Sequence, residues 1–195
     1  MPRVEPLSGE ALRAVSPQFA RLRIEVFRDW PYLYDGDFAY EERYLGRFLE
    51  APGHVAICAF DGETLVGAST GAPLASQHEE FAAPFRATGE AVEEIFYFGE
   101  SVLKSAYRGQ GLGHAFFDGR EAHARALGFP KTAFCGVMRP DDHPMRPPGH
   151  SPLDPFWRKR GYRPLDGLIA HFSWLDVGET AESSKPMQFW GRGFG

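Results

Sequence analysis

The chain has 195 residues, 43% of them hydrophobic and 24% charged, which is long enough for one domain with a substantial core and short for two. Its 21 basic and 26 acidic side chains give a net charge of −5, which argues against a general nucleic-acid-binding protein, since such proteins are normally basic. No apolar run approaches the roughly eighteen residues of a membrane span, and residues 1–10 lack the apolar stretch of a secretory signal, so we expect a cytoplasmic protein without a nucleic-acid or membrane partner.

The first half of the chain predicts helices followed by a hairpin. Ser16 and Pro17 are typical of a helix N-cap and first helical position, and apolar residues then recur at helical spacing as far as Trp30. The predicted elements are an edge strand at 2–7, helices at 16–30 and 38–51, hairpin strands at 54–60 and 64–74, and a loop with a short helix at 76–94.

The second half predicts a strand, a glycine-rich turn, a helix and a further strand, followed by a proline-rich loop. The elements are a strand at 94–106, a helix at 111–129, a strand at 131–138, a loop at 139–152, a helix at 153–162 and an antiparallel pair at 168–177 and 185–192. The predicted inner face of the central helix consists of Leu112, Ala115, Phe116, Gly119, Ala122 and Ala126. This order predicts a single α/β (α+β) domain over residues 1–195.

The segment "SVLKSAYRGQGLGHAFF" contains three glycines between a predicted strand and a predicted helix. The spacing of Gly109, Gly111 and Gly113 fits a dinucleotide-binding fingerprint poorly, and no Lys-Ser or Lys-Thr pair directly follows these glycines as a P-loop requires. Arg108 and the glycines form R-x-x-G-x-G, in which free amides at a helix N-terminus can bind an anion such as a pyrophosphate. The alternative is a tight turn in which the glycines only relieve crowding.

This segment resembles the acyl-CoA-binding core of the GNAT superfamily of N-acetyltransferases. The strand "KTAFCGVM" follows, and "FWRKRGY" is similar to the family's late motif of two aromatics and a glycine–aromatic pair, so the resemblance extends over residues 93–163. It implies a GNAT-like domain, a mixed central sheet of six to seven strands with helices on both faces. It also implies acetyl-CoA as co-substrate, with no metal.

The resemblance implies the cofactor-binding residues. The strand before the turn would splay at a bulge, where the backbone of Val102 and Leu103 would pair with pantetheine, and the Leu103 amide would stabilise the oxyanion. The pyrophosphate cradle would consist of Arg108, Gly109, Gln110, Gly111, Leu112, Gly113 and His114.

Acetyl transfer to an amine requires a base, because an aliphatic ammonium has a pKa near 10.4. Glu100 is the first candidate, since we expect the flanking Phe98 and Val102 to raise its pKa, and Glu94 is the second. The alternative role for Glu100 is a structural carboxylate at the bulge.

The chain departs from the family's pattern at two positions. Trp157 stands where many relatives carry a tyrosine that protonates the departing thiolate, and His150 stands where an asparagine is common. An indole is no acid, so the acid role stays unassigned. A thiolate with a parent pKa near 8.5 leaves without help, and we expect Trp157 to pack in the core.

Two segments are candidates for the acceptor site. Residues 27–40 are aromatic and include Asp35 and Asp37, which suits a cationic amine, although Trp30, Tyr32 and Phe38 also suit helix packing. The loop at 139–152 offers side chains that either contact the acceptor or lie on a solvated surface: Arg139, Asp141, Asp142, His143 and Arg146. The acidic stretch at 79–100 mildly favours a basic acceptor. Residues 185–195 pack against the sheet or a second copy of the chain, which leaves a homodimer open.

The reaction predicted is direct transfer of an acetyl group from acetyl-CoA to a primary amine, with a small molecule as the acceptor. Cys58 and Cys135 lie in apolar strands with no histidine adjacent to either, so we expect reduced thiols and no acyl-enzyme. The alternative is a non-catalytic acyl-CoA-binding sensor or interaction module, which Trp157 in place of tyrosine favours.

Overall fold

The computed structural model describes residues 2–194, which fold into seven strands and five α-helices. The strands are β1 (Arg3–Leu7), β2 (Val55–Asp61), β3 (Thr64–Pro73), β4 (Ile95–Leu103), β5 (Lys131–Val137), β6 (Arg163–Trp174) and β7 (Ser183–Arg192). The helices are α1 (Gly9–Phe27), α2 (Phe38–Glu50), α3 (Glu79–Ala87), α4 (Leu112–Ala126) and α5 (Asp154–Lys159). No helix in this part of the chain is long and apolar enough to cross a membrane.

The strands form one mixed sheet in the order β1-β2-β3-β4-β5-β7-β6, in which β4 and β5 alone are parallel. Helices cover both faces. On one face, Phe19 of α1 and Leu45 of α2 pack with Cys58 of β2, and α3 extends this layer. On the other face, Phe116 of α4 packs against Ile57. The predicted fold class, with a mixed sheet of six to seven strands between helices, is confirmed.

The parallel strands β4 and β5 separate soon after they meet. They pair only where Ile95–Tyr97 lie beside Lys131–Ala133, and both strands then continue without pairing to each other. Beyond this point β4 contains a bulge, because Gly99 and Glu100 together lie opposite Thr70 of β3. The splayed strand and the bulge that the family resemblance implied are therefore present.

The helix predicted at 16–30 begins earlier, at Gly9, with Ser8 as its N-cap, and it ends at Phe27. Pro17 lies inside the helix and has no amide to donate to the carbonyl of Arg13. The hydroxyl of Ser16 donates to that carbonyl instead, at 2.8 Å. Ser16 and Pro17 therefore mark a tolerated interior proline rather than a helix start.

The buried face of α4 and the start of β6 also differ from the prediction. In α4, Ala122 and Ala126 are exposed, while Phe117, Arg120 and Glu121 are buried, so the inner face lies further round the helix. The apolar pattern did not predict this buried face because the charged side chains of Arg120 and Glu121 occupy part of it. Strand β6 begins at Arg163 rather than 168, with a register irregularity between Pro164 and Ile169.

Candidate active site

A cleft of about 1880 Å³ opens where β4 and β5 diverge. One end is lined by the start of α4, including Gly113, and by α5, including Trp157. The other end is lined by the aromatic segment between α1 and α2 and by residues of the loop after β5. This volume is large enough for an elongated ligand along the strands and a second molecule at the opposite face.

The open edge of β4 presents the backbone of Ser101 and Leu103. The amide of Lys104 donates to the carbonyl of Val66 at 3.0 Å, which turns Lys104 toward β3. Because antiparallel pairing alternates, Val102 also faces β3 through Ala68, whereas Ser101 and Leu103 face the cleft. The expectation that Val102 offers its backbone to a ligand is therefore corrected to Ser101, and the expectation for Leu103 agrees with this register.

The glycine turn is shaped by backbone conformation. Gly109 and Gly111 have φ of +76° and +84°, and a Cβ on either would meet no atom within 4 Å, so the space in front of the turn is open. Gly111 is the N-cap of α4. The first-turn amides of Leu112 and Gly113 have no helical carbonyl to bond, which makes this end of α4 suited to an anion.

Side chains around the turn differ in what they can contribute. Arg108 is exposed, and its Nε donates to the carbonyl of Leu103 at 3.4 Å. Gln110 is exposed and donates to the carbonyl of Ala106, and the ring of His114 packs edge-on against Phe156. Leu112 is buried in the core, so it offers only its backbone. The predicted cradle is thus one continuous surface at the start of α4.

Glu100 belongs to a buried charged cluster. Its side chain is 5% exposed, and Oε1 lies 2.8 Å from Nη1 of Arg23 on α1. Arg23 also pairs with Glu41 of α2 through its Nε, and Tyr44 donates to Glu100 Oε2 at 3.1 Å. Burial opposes the charge on Arg23, but Glu100, Tyr44 and Glu41 raise its pKa above the ordinary value, so it remains a cation.

The surroundings of Glu100 therefore differ from the sequence prediction. We expected Phe98 and Val102 to enclose it in an apolar pocket, but the bulge places Phe98 on the opposite face of the sheet. A guanidinium and a phenol surround the carboxylate instead. Burial and the nearby Glu100 raise the pKa of Tyr44, which keeps this phenol a neutral donor.

Arg120 supports the bulge from the α4 face. The side chain is 2% exposed, its Nη1 donates to the carbonyls of Thr70 at 3.3 Å and Glu100 at 3.2 Å, and its Nη2 donates to Ser101 Oγ at 2.9 Å. The amide of Glu100 donates to Thr70 Oγ1 at 3.2 Å. The backbone groups that the bulge removes from the ladder are thus paired, and the position of Glu100 is fixed.

The second base candidate, Glu94, lies outside the cleft, and Trp157 lies at its wall. Glu94 is 3.1 Å from Lys131 at the start of β4, and it does not line the cleft. Trp157 packs against Phe134 and Trp190 with ring centroids 5.0 Å from each, and its ring lies 3.0 Å from where a Cβ on Gly136 would be. Trp157 is therefore packed, as expected, at the cleft wall.

Several predicted acceptor residues have structural partners. Asp37 caps α2 by accepting from the amide of Tyr40 at 2.8 Å, and Asp35 pairs with Arg28 at 2.5 Å. Both aspartates line the cleft. Tyr32 packs against Phe27, which supports the packing role we gave the aromatics as an alternative.

The loop after β5 is tied to the segment between α1 and α2. The side chain of Arg139 is 8% exposed. It pairs with both carboxylate oxygens of Asp176 and donates to the carbonyls of Pro31 and Tyr32 at 2.8 and 2.6 Å. It is therefore neither exposed nor free to contact an acceptor, in contrast to both expectations. His143 and His150 pack against Trp30, with ring centroids 5.1 and 5.8 Å away. Arg146 pairs with the exposed Asp141, and Asp142 is exposed.

The cysteines are unpaired thiols with no disulfide between them. Cys58 is buried, and Cys135 lines the cleft with its sulfur 3.0 Å from the hydroxyl of Tyr97. Burial raises the pKa of each thiol to about 12. Neither is a thiolate near neutral pH, and thus neither is an activated nucleophile. Within residues 2–194, no group of three or more His, Cys, Asp or Glu could hold a metal ion.

Sequence reasoning missed Arg23, Glu41 and Arg120. A signal for each existed, because they occupy the apolar stripe of a helix. Arg23 and Arg120 each lie four residues after a buried phenylalanine, and Glu41 lies four before Leu45. A charge at such a position is rare without a buried partner, so it indicates one.

The fold, the splayed strands and the glycine-rich turn before α4 are those of an acetyltransferase of the GNAT type. In agreement with this geometry, residues 19–147 match the Acetyltransferase (GNAT) family. The chain belongs to this family and is an acyltransferase.

Solved structures of N-acetyltransferases share the fold at low sequence identity. Ribosomal-protein-alanine N-acetyltransferase from Brucella melitensis is 11% identical with a TM-score of 0.62, covering 97% of this chain and 98% of its own. Aminoglycoside 6'-N-acetyltransferase from Enterococcus faecium is 14% identical with a TM-score of 0.62, covering 97% and 96%. Another aminoglycoside 6'-N-acetyltransferase, complexed with coenzyme A, is 15% identical with a TM-score of 0.61 and the same coverage. No curated protein sequence matches the chain.

Proposed function

We propose that the enzyme transfers an acetyl group from acetyl-CoA directly to the primary amine of a small cationic molecule. The observation that carries this proposal is the position of Glu100, whose buried carboxylate lies beside the open backbone edge of Ser101 and Leu103. A proton acceptor and the donors for a thioester carbonyl thus meet at one point of the cleft.

Acetyl-CoA occupies the end of the cleft near α4. The free amides at the start of α4 and the guanidinium of Arg108 bind the pyrophosphate. Pantetheine extends along β4, pairing with the backbone groups of Leu103 and Ser101 that β5 leaves unpaired. The solved relative complexed with coenzyme A supports this ligand, since its fold is shared over nearly the whole chain.

The acceptor enters from the face of α1 and α2. Arg23, Glu41 and Glu100 together carry one net negative charge, which attracts an ammonium group. Glu100 removes the ammonium proton, the amine nitrogen attacks the acetyl carbon, and an amide of the β4 edge, that of Leu103, hydrogen-bonds the oxyanion. The carbon–sulfur bond then breaks, coenzyme A leaves as its thiolate, and the nitrogen of the product gives its extra proton to that thiolate, which yields the amide and free coenzyme A.

Direct transfer is supported by the raised pKa of both cysteines, since neither thiol is a ready nucleophile. A small acceptor is supported by the clasp of Arg139, which joins the loop after β5 to the segment before α2 and bounds this end of the cleft. The aromatic and acidic side chains lining this end suit a cation, as do the aminoglycoside substrates named for two structural neighbours. A cytoplasmic location and a homodimer remain predictions.

The test is release of free thiol from acetyl-CoA across a panel of cationic and neutral amines. Glu100→Gln is expected to reduce kcat/KM by about 10²- to 10⁴-fold, the usual contribution of a general base, without weakening acetyl-CoA binding. Glu94→Gln replaces the alternative base outside the cleft, and Glu93→Gln is a matched exposed control; both are expected to retain full activity.

Two results would contradict the proposal. Loss of activity in Glu94→Gln but not in Glu100→Gln would move the base to the start of β4. Tight acetyl-CoA binding without thiol release for any amine would favour the non-catalytic sensor, the reading that Trp157 supports.

A further inference from the structure

Glu41 is a buried carboxylate that the proposed reaction does not use. It lies on α2 with its side chain 0% exposed, and it pairs with Nε of Arg23. Its second oxygen, Oε1, has no well-aligned hydrogen bond among the described residues. The hydroxyl of Tyr34 faces this carboxylate, and burial together with Glu41 raises the pKa of that phenol, so it stays neutral. A buried carboxylate with only one well-aligned bond is costly, so its retention next to the cleft calls for a role.

One guanidinium serves two carboxylates in this cluster. Arg23 directs Nε toward Glu41 and Nη1 toward Glu100. The contact to Glu100 is an ion pair at 2.8 Å that lacks hydrogen-bond alignment, because Glu100 Oε1 and Arg23 Nη1 have no such partner within residues 2–194. Glu41 thus takes the well-aligned bond of the cation and leaves Glu100 with the weaker one.

We propose that Glu41 is a positioning residue for acetyl transfer: by sharing Arg23, it keeps the carboxylate of Glu100 only partly neutralised and ready to accept the proton of the acceptor ammonium. This inference rests on the proposed role of Glu100 as the base. Without Glu41, the full charge of Arg23 would stabilise Glu100 as an anion and make it a weaker base. The two carboxylates therefore act as one unit with a single excess negative charge.

The other groups around Glu100 add no competing negative charge. Arg23 comes from α1, and Tyr44 of α2 donates to the carboxylate. Tyr32 lies between these helices, and burial raises its pKa, as it does for Tyr44, so both stay neutral. From α4, Arg120 bonds the backbone carbonyl of Glu100. Glu41 is the anion in this set.

The experiment measures the titration of the Glu100 carboxyl by carbon NMR in glutamate-labelled protein, with Glu100→Gln to assign its signal. Glu41→Gln is expected to lower the titration midpoint of Glu100 by about one pH unit or more, as removal of a neighbouring like charge does. The acidic limb of kcat/KM against pH is expected to move to lower pH by the same amount, and the plateau rate to fall severalfold.

Two variants serve as controls. Glu42→Gln removes the adjacent exposed carboxylate of α2 and is expected to leave both profiles in place. Glu41→Asp keeps a carboxylate beside Arg23 and is expected to retain the wild-type titration midpoint of Glu100. It also replaces Glu41→Gln as the test if that variant fails to fold. A Glu100 midpoint lowered by a full pH unit in Glu41→Asp would then contradict the charge-sharing argument.

The outcomes separate the inference from the proposed function. An unmoved NMR midpoint in Glu41→Gln overturns the inference, whether or not activity falls, because a merely structural role would alter stability alone. A lowered NMR midpoint with an unmoved kinetic limb keeps the charge coupling but rejects Glu100 as the base, which is the failure of the proposed function.

Discussion

Arg120 holds the bulge of β4 from the side opposite Glu100, and its replacement by methionine is expected to destabilise the protein strongly. The substitution keeps a long side chain among the rings of Phe98 and Phe117, which lie 4.3 and 4.9 Å from the guanidinium. It removes the donors to the carbonyls of Thr70 and Glu100. The effect therefore isolates the hydrogen bonds of the bulge from the packing around it.

The magnitude follows from the groups left without partners. A buried acceptor that loses its donor costs about 1–3 kcal/mol, and Arg120→Met removes a donor from the bulge carbonyls of Thr70 and Glu100. The bonds to Ser101 Oγ and to the carbonyl of Phe116 are lost as well, but Ser101 is exposed and the Phe116 carbonyl lies within α4. Burial of the charge works in the opposite direction, since it lowers the pKa of Arg120 to about 10. We expect a net loss of about 3 kcal/mol in the free energy of unfolding, which lowers Tm by roughly 6–12 °C for a chain of this size.

The assay is urea unfolding followed by the pH-independent kcat/KM of the folded protein. Arg125→Met is the matched control, because Arg125 is exposed on the same helix and lies 3.9 Å from its partner Glu121; we expect a change below about 0.5 kcal/mol. The folded Arg120→Met protein is also expected to lose about tenfold or more in kcat/KM, since Glu100 is no longer fixed. Unfolding free energies within about 1 kcal/mol of each other for wild type and Arg120→Met would refute the argument that Arg120 maintains the bulge.

Three further substitutions test the turn and the clasp. Gly111→Ala, at a φ of +84°, is expected to cost about 1 kcal/mol of stability. Gly113→Ala should stabilise α4 by up to about 1 kcal/mol, while its methyl group weakens acetyl-CoA binding. If calorimetry gave Gly113→Ala and wild type the same affinity for acetyl-CoA, the close approach of the pyrophosphate would be contradicted. Burial opposes ionisation of Asp176, but hydrogen bonds from Arg139 and Lys185 lower its pKa below the ordinary 3.8, so its stabilising effect is complete above about pH 4 and is lost as the pH falls further. Arg139→Ala should reduce the loss of stability at acid pH. The check is the free energy of unfolding in urea, measured between about pH 2.5 and 6. The same dependence on pH in Arg139→Ala and wild type would contradict this role of Asp176.

The sequence predicted the features that arise from local pattern. The strand, glycine turn and helix at residues 95–126 follow from short-range spacing, and their order identified the family. The predicted start of α1 was wrong because Ser16 and Pro17 resemble an N-cap and a first helical residue. In the structure the hydroxyl of Ser16 compensates for a proline inside the helix. Such a compensation depends on a side-chain rotamer and leaves no periodic trace.

The partners within the charged cluster could not be predicted from one sequence, although the charged positions themselves could have been noticed. Arg23 lies 18 residues from Glu41, and it meets Glu100 only after α1 packs on the sheet. The expectation that the backbone of Val102 faces the ligand disagrees with the register of β4 for a related reason. The bulge at Gly99 and Glu100 shifts every later residue of β4 to the opposite face, and the sequence does not specify where such a shift occurs.

The same bulge joins the two halves of the proposed reaction. If β4 alternated strictly through Gly99, the side chain of Glu100 would lie on the α4 face with that of Phe98, beside Arg120 and away from α1. Because the bulge takes up Gly99 as an extra residue, Glu100 points to Arg23 and the acceptor end of the cleft, while Ser101 and Leu103 keep their backbone groups at the open edge. Glu100 therefore reaches the acceptor from the α1 face of the sheet, while the thioester lies along β4, the strand that carries Glu100. One inserted residue, Gly99, is sufficient for this arrangement, and its lack of a side chain is required because a Cβ there would lie 2.5 Å from Thr70 Oγ1.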